Sequence, residues 1–243
     1  AGSSRTTRTE FVRDPYGNVT LETRRGRTDT TADDRLVRRT YPANPSAYIV
    51  GLKGSETLQE TVAGVLTDRA KIVALYDGAA DPATPPLRGD VTRLRRWNDR
   101  TGAWVERRWE WDVQGNRIRE ADETGDIADP ARRTDIAYDA AWHLFPVTET
   151  TPANDAGLRL QTGRTWNLGC AEPATVTDPN GAVTTTTRDR FCRPLAVDRP
   201  LGDYEHHTYV DDADAGWRTR VTAPAPTGQT TELFTETLFH GLA

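Results

Sequence analysis

The chain has 243 residues, with 31 Lys and Arg against 36 Asp and Glu, a formal charge of −5 and a pI near 5.5. This balance leaves no basic surplus to grip a phosphate backbone, so nucleic acid is not expected as a partner. No apolar run approaches the roughly 18 residues that a membrane-spanning helix needs, and Ala1-Gly2-Ser3-Ser4-Arg5 carries no signal-peptide pattern, which leaves secretion of a longer parent open.

Mean hydropathy is −0.69, with 36% hydrophobic and 28% charged residues. That is thin for a solid core at this length. Yet 7 Trp, 7 Tyr and 5 Phe argue against disorder. With abundant Thr, Arg, Gly and Pro, the mixture suits many short strands joined by tight turns.

In chain order, the first turn signal is Asp14-Pro15-Tyr16-Gly17. The best helix candidate follows at 55–62. Ser55 fits an N-cap there, and Leu58 and Val62 share a helical face. Gly64 interrupts it, and 71–76 reads as strand. Residues 79–89, with Pro82, Pro85 and Pro86, read as a loop, and so do 223–228. Segments 104–111, 117–119 and 157–162 alternate apolar and polar residues in whole or part, and 183–187 is strongly β-branched. Period two means β-strand. Few of these strands have one fully apolar face, which fits a sheet wetted on both sides better than a sandwich.

An aspartate followed three residues later by glycine recurs at Asp14–Gly17, Asp99–Gly102, Asp112–Gly115, Asp122–Gly125 and Asp178–Gly181. Chance would give about two such pairs, so a repeated turn is expected. Asp in first place accepts a hydrogen bond from the backbone two residues on. Gly in fourth place takes the left-handed conformation that closes a bulged hairpin.

The turns carry more than Asp and Gly. Trp111-Asp112-Val113-Gln114-Gly115-Asn116 shows an aromatic before the Asp and Asn after the Gly. Tyr76-Asp77-Gly78, Trp97-Asn98, Tyr138-Asp139 and Trp166-Asn167 show the first half, and Arg188-Asp189-Arg190-Phe191-Cys192-Arg193 has Cys in the glycine place. Arg13 and Arg188 stand where an aromatic is expected. Units start at Trp111, Tyr138, Trp166 and Arg188. This pattern resembles the Rhs/YD-repeat family, most closely from Thr175 to Arg193. Pro45-Ser46-Ala47-Tyr48-Ile49-Val50-Gly51-Leu52 is similar to the large toxin-complex members, as is the end, Leu238-Phe239-His240-Gly241-Leu242-Ala243, with His240 in the aspartate place.

The resemblance implies an all-β fold, in which irregular YD-repeat hairpins form part of a large spiralling β-sheet shell. It implies a structural role, encapsulating a toxin polypeptide and helping to deliver it. The implied partners are the remainder of the parent Rhs shell and an enclosed C-terminal toxin polypeptide, and the implied location is secreted or at the cell surface. The self-cleaving aspartyl segment of many relatives has no match here. Residues 1–243 read as one repeat segment of a larger shell, with no clear internal boundary.

Cys170 and Cys192 occupy the same phase when Trp166-Asn167-Leu168-Gly169-Cys170 is aligned on Arg188-Asp189-Arg190-Phe191-Cys192. If successive units place these positions side by side, a structural disulfide forms, worth roughly 3 kcal/mol for a loop of about 20 residues. The alternative is two buried thiols.

No catalytic residue, cofactor or metal is expected. His143, His206, His207 and His240 lack zinc-ligand spacing, and Asp211, Asp212 and Asp214 fail the calcium-loop order because Gly216 falls one place early. No phosphate loop or nucleophile elbow occurs. Glu106 and Glu110 alternate with Arg108 and read as cross-neutralised surface charge. Trp97, Trp104, Trp109 and Trp111, near Arg93, Arg95, Arg96, Arg107 and Arg108, offer glycan contact. Packing across strands, with cation–π contacts, is the competing account. The alternative functions are therefore a secreted carbohydrate-binding or adhesion module and, less in keeping with the residues, a glycoside hydrolase-like enzyme.

Overall fold

A computed structural model describes residues 6–27, 30–123, 126–212, 216–225 and 231–239. They hold 17 strands and no α-helix, so the all-β expectation is met. The chain divides into two compact units, Ala1–Asp135 and Ile136–Ala243.

The first unit is a meander of β1 (Arg8–Arg13), β2 (Val19–Arg25), β3 (Arg35–Thr40), β4 (Ser55–Val62), β5 (Val65–Tyr76), β6 (Val91–Trp97), β7 (Trp104–Trp111), β8 (Arg117–Ala121) and the start of β9 (Thr134–Tyr138). Each strand pairs antiparallel with the next. The second unit repeats the scheme with β10 (Pro146–Ala153), β11 (Arg159–Asn167), β12 (Glu172–Thr177), β13 (Val183–Arg188), β14 (Pro194–Asp198), β15 (Tyr204–Asp212), β16 (Gly216–Ala223) and β17 (Leu233–Phe239).

The helix candidate at 55–62 is strand β4. Every one of its residues from Ser55 to Glu60 has a partner on β3, and all eight have partners on β5. Thr57, Thr61 and Val62 favour the pleat, and pairing on both sides outweighs the Ser55 cap signal.

Burial is sparse. Among the described residues the buried apolar side chains of the first unit are Val37, Leu75, Pro42, Pro86 and Ala121, and the second unit has no buried residue. The sheets are therefore wetted on both faces, and charge pairing stands in for apolar packing. Arg24, Glu22, Arg39, Glu56 and Lys53 form one chain of ion pairs across β2, β3 and β4, with contacts of 2.5, 3.1, 2.8 and 2.8 Å. Glu22 is only 8% exposed, and the hydrogen bond from Arg24, followed by that from Arg39, holds its carboxyl below the usual range against the cost of burial.

The repeated turn exists and has one hydrogen-bond plan. In the Asp14, Asp112 and Asp178 turns the glycine N–H donates to the aspartate carbonyl, while one carboxylate oxygen accepts the N–H groups two and four residues on. Asn154 builds the same turn with Gly157 between β10 and β11, a position outside the Asp-x-x-Gly count. Two turns differ from expectation. Asn98 rather than Asp99 holds the β6–β7 turn. Its side chain accepts from Arg100 and Thr101, and its carbonyl accepts from the Gly102 N–H. The other is Asp122–Gly125, where Gly125 lies outside the described residues.

The residue before the aspartate also has a defined task. The register shifts at Arg13, Trp111 and Arg188, so each pairs with the residue six places later. Trp111 Nε1 donates to the Val91 carbonyl at 2.8 Å, and Trp166 Nε1 to the Pro146 carbonyl at 2.9 Å, each binding the end of its strand to the start of the preceding one. Arg13 and Arg188 instead donate to the carbonyl of the fourth turn residue, Gly17 at 2.6 Å and Cys192 at 3.3 Å. Arginine thus replaces the aromatic by closing its own turn.

Candidate functional site

The β11–β12 turn contains Cys170 and the β13–β14 turn contains Cys192. Both turns lie at the same end of the second unit's meander, because β12 and β13 run out and back between them. The two Sγ atoms are bonded, with Cα atoms 5.4 Å apart, well inside bridging distance. Cys192 occupies the fourth turn position with φ +64, where Gly17, Gly115 and Gly181 have φ of +83 to +90. A side chain there costs about 1–2 kcal/mol. The bridge supplies a reason for cysteine in a glycine place.

Around this bridge Asp189 accepts the Phe191 and Arg193 N–H groups at 2.8 and 3.0 Å, and Arg193 Nε donates to its second oxygen at 2.7 Å. Burial alone would raise the Asp189 pKa, but these donors, Arg193 foremost, lower it. Arg193 then stacks over Tyr209, 4.1 Å from the ring centroid. In the turn after β9, Asp139 accepts four contacts from backbone N–H groups, that of Phe145 the largest, and its pKa falls to about 2.

The four tryptophans do not share a face. Trp97 lies directly opposite Trp104 across β6 and β7, on the face that also carries Glu106, Arg108 and Glu110. Trp109 and Trp111 point to the other side. Each indole is engaged locally: Lys71 lies 5.2 Å from the Trp97 ring, Arg95 4.8 Å from Trp104 and Arg107 5.6 Å from Trp109. A single four-tryptophan platform is therefore not formed.

The carboxylates between them are held by guanidinium groups. Glu106 meets Arg93, Arg95 and Arg108 at 3.2, 3.3 and 2.6 Å, and Glu110 meets Arg119 at 2.6 Å. Such carboxylates are held in charge-assisted pairs and support a sheet face. His206 and His207 point to opposite faces of β15, stacking on Tyr204 and Tyr209 respectively. His143 sits at a left-handed turn position with φ +54. No group of three or more metal-binding side chains occurs among the described residues. His240, Asp214 and the end of the 223–228 loop lie outside them.

No protein-family model matches the chain, and no curated protein is detectably similar to it. Solved structures are similar in fold. One is the crystal structure of TcdB2-TccC3 without hypervariable C-terminal region, with TM-score 0.38 and 11% identity over 89% of this chain and 14% of that one. TcdB2-TccC3-Cdc42 matches with TM-score 0.32 and 12% identity, over 96% of this chain and 15% of that one. TcdB2-TccC3-TEV matches with TM-score 0.32 and 12% identity, over 94% and 14%. The likeness is coarse, and this chain spans about one seventh of the length of the chains it matches.

Proposed function

We propose that this chain is a wall segment of an Rhs/YD-repeat shell, a non-catalytic structural element that encloses a toxin polypeptide and helps deliver it. The observation that carries the reading is the two-sided wetting of a long hairpin meander. With five buried apolar side chains in one unit and none in the other, among the described residues, the sheets have little apolar interior. A wall needs no such interior. It needs rigidity in two dimensions, which the capped turns, the ion-pair chains and the Cys170–Cys192 bridge provide.

Confinement would act sterically. A face covered with paired charges and threonines gives an unfolded chain little continuous apolar surface to adhere to, which favours later release. The disulfide favours an oxidising destination, hence secretion or the cell surface.

The test is protease protection in the intact parent protein. The enclosed polypeptide should survive a protease concentration that digests the same polypeptide after the shell is opened with denaturant. Equal digestion before and after opening would sink the reading.

A further inference from the structure

The end of the second unit that carries the Cys170–Cys192 bridge is an apolar rim on an otherwise polar sheet. The turns after β9, β11 and β13 adjoin there. Phe145 of the first turn stacks on Trp166 at the foot of the second, with ring centroids 4.9 Å apart, and the bridge ties the second turn to the third. Trp142 and Leu144 stand on the first turn, Leu168 on the second and Phe191 on the third, each 58–65% exposed. Ala140, Ala141 and Ala171 beside them are exposed as well.

The turns themselves hold these tips in place. Asp139 accepts the N–H groups of Trp142 and Leu144 at 2.6 and 2.9 Å, and Asp189 that of Phe191 at 2.8 Å. The Asn167 side chain accepts those of Gly169 and Cys170 at 3.1 and 3.3 Å. The acids of the rim are thereby engaged: Asp139 by backbone, Asp189 by backbone and Arg193, and Glu172 by Arg188 at 3.6 Å. Arg190, in contrast, has no carboxylate partner among the described residues, and its guanidinium lies over the Phe191 ring, 4.7 Å from the centroid. The opposite end of the unit differs. Leu158 and Leu201 are exposed there, but beside exposed Asp155, Asn180 and Asp203.

We propose that this rim docks on a phospholipid bilayer, with Trp142, Leu144, Leu168 and Phe191 inserted at the interface and Arg190 at the level of the lipid phosphates. Exposed apolar patches mark interaction surfaces, and an indole at a water boundary suits the interfacial layer. A cation stacked on an inserted ring reaches phosphate from where it already lies. Area separates the bilayer from a protein partner. Four such side chains offer on the order of 500 Å², below the roughly 800 Å² that each partner gives to a stable protein interface. Successive turns at one end lie two strands, about 10 Å, apart, so the tips enter lipid singly and need no matching surface. Their backbone is already ordered, which leaves little ordering cost to insertion. Docking of this kind goes beyond a wall role and does not depend on it.

The test is flotation of the full chain with vesicles of phosphatidylcholine, alone or mixed with an equal part of phosphatidylglycerol. The chain should partition onto both, and more tightly onto the mixed vesicles. Trp142→Ser and Phe191→Ser should each weaken partitioning about tenfold. Arg190→Gln should abolish the preference for mixed vesicles and leave binding to phosphatidylcholine in place. Leu158→Ser, which alters a comparably exposed leucine at the opposite end, should change nothing. All these side chains are exposed, so the variants should keep the fold, which circular dichroism checks. No partitioning at millimolar lipid overturns the proposal. So does partitioning that survives Trp142→Ser combined with Phe191→Ser, or an equal loss in Leu158→Ser. If the combined variant instead removes a self-association seen by sedimentation without lipid, the rim is a protein contact and the proposal falls.

Discussion

Two residues show how local chemistry builds this sheet. Cys192 holds a backbone conformation that its sibling turns give to glycine, and the bridge to Cys170 closes a loop of 22 residues. In the chain-entropy model that closure is worth about 3 kcal/mol. Cys170→Ser should therefore lower the unfolding free energy by about 3 kcal/mol. Cys192→Gly should cost about 1 kcal/mol less, because it also relieves the left-handed side chain. Denaturant titration of both variants measures the order, and equal losses would show that the backbone conformation at Cys192 is unstrained.

At the turn aspartates, Asn154 already performs the aspartate's task. Asp112→Asn should accordingly be nearly neutral, while Asp112→Ala should cost about 1 kcal/mol. The same turns set the acid response. Asp139 falls to about 2, and Asp14, Asp77, Asp112 and Asp189 also lie below 3.8. The folded state thus binds fewer protons than the unfolded state just below pH 4, so stability rises with pH there. It should be complete above about pH 4 and decline as pH falls toward 2. Asp139→Ala should flatten that decline in a pH series of thermal unfolding.

At the scale of elements, strands hold together through charge chains in place of a core. Arg39 links Glu22 and Glu56 across β2, β3 and β4, with its own side chain 18% exposed. Removing it in Arg39→Met leaves Glu22 largely buried with only Arg24. A loss of about 2 kcal/mol is expected, smaller than for a fully buried pair because Glu56 retains Lys53. Adding Glu22→Gln to Arg39→Met should recover part of the loss in a double-mutant cycle.

How much of this was legible in the sequence follows from the range of each interaction. The Asp-x-x-Gly turns were legible because the hydrogen bonds that close them span at most four residues, as in Asp112 to Asn116. The strands followed from period two. The helix signal at Ser55 misled because a cap is also local, whereas the pairing of β4 with β3 and β5 is decided by residues as far away as Arg35 is from Glu60. The joined phase of Cys170 and Cys192 could be read from the repeat. The separation of the four tryptophans onto two faces could be read in part, since Trp104 and Trp109 differ by an odd number of residues on one strand. The bridging of Glu22 and Glu56 by Arg39 could not, because it depends on the register of β3 against β2 and β4.

At the scale of the whole molecule, a sheet wetted on both faces has to gain its stability along the sheet. The terminal strands of such a meander expose unpaired backbone groups. β17 is exposed along all seven residues, including Leu233, Phe234, Leu238 and Phe239. An edge of that kind pairs readily with another strand. In the intact parent, the reading assigns this role to further repeats, and the isolated 243-residue chain should associate in solution through it. The most direct measurement is electron microscopy of the intact parent particle, with the masses of its polypeptides determined alongside. A hollow shell containing additional polypeptide density is the expected result. A solid domain of about this chain's size, with no enclosed density, would contradict the account.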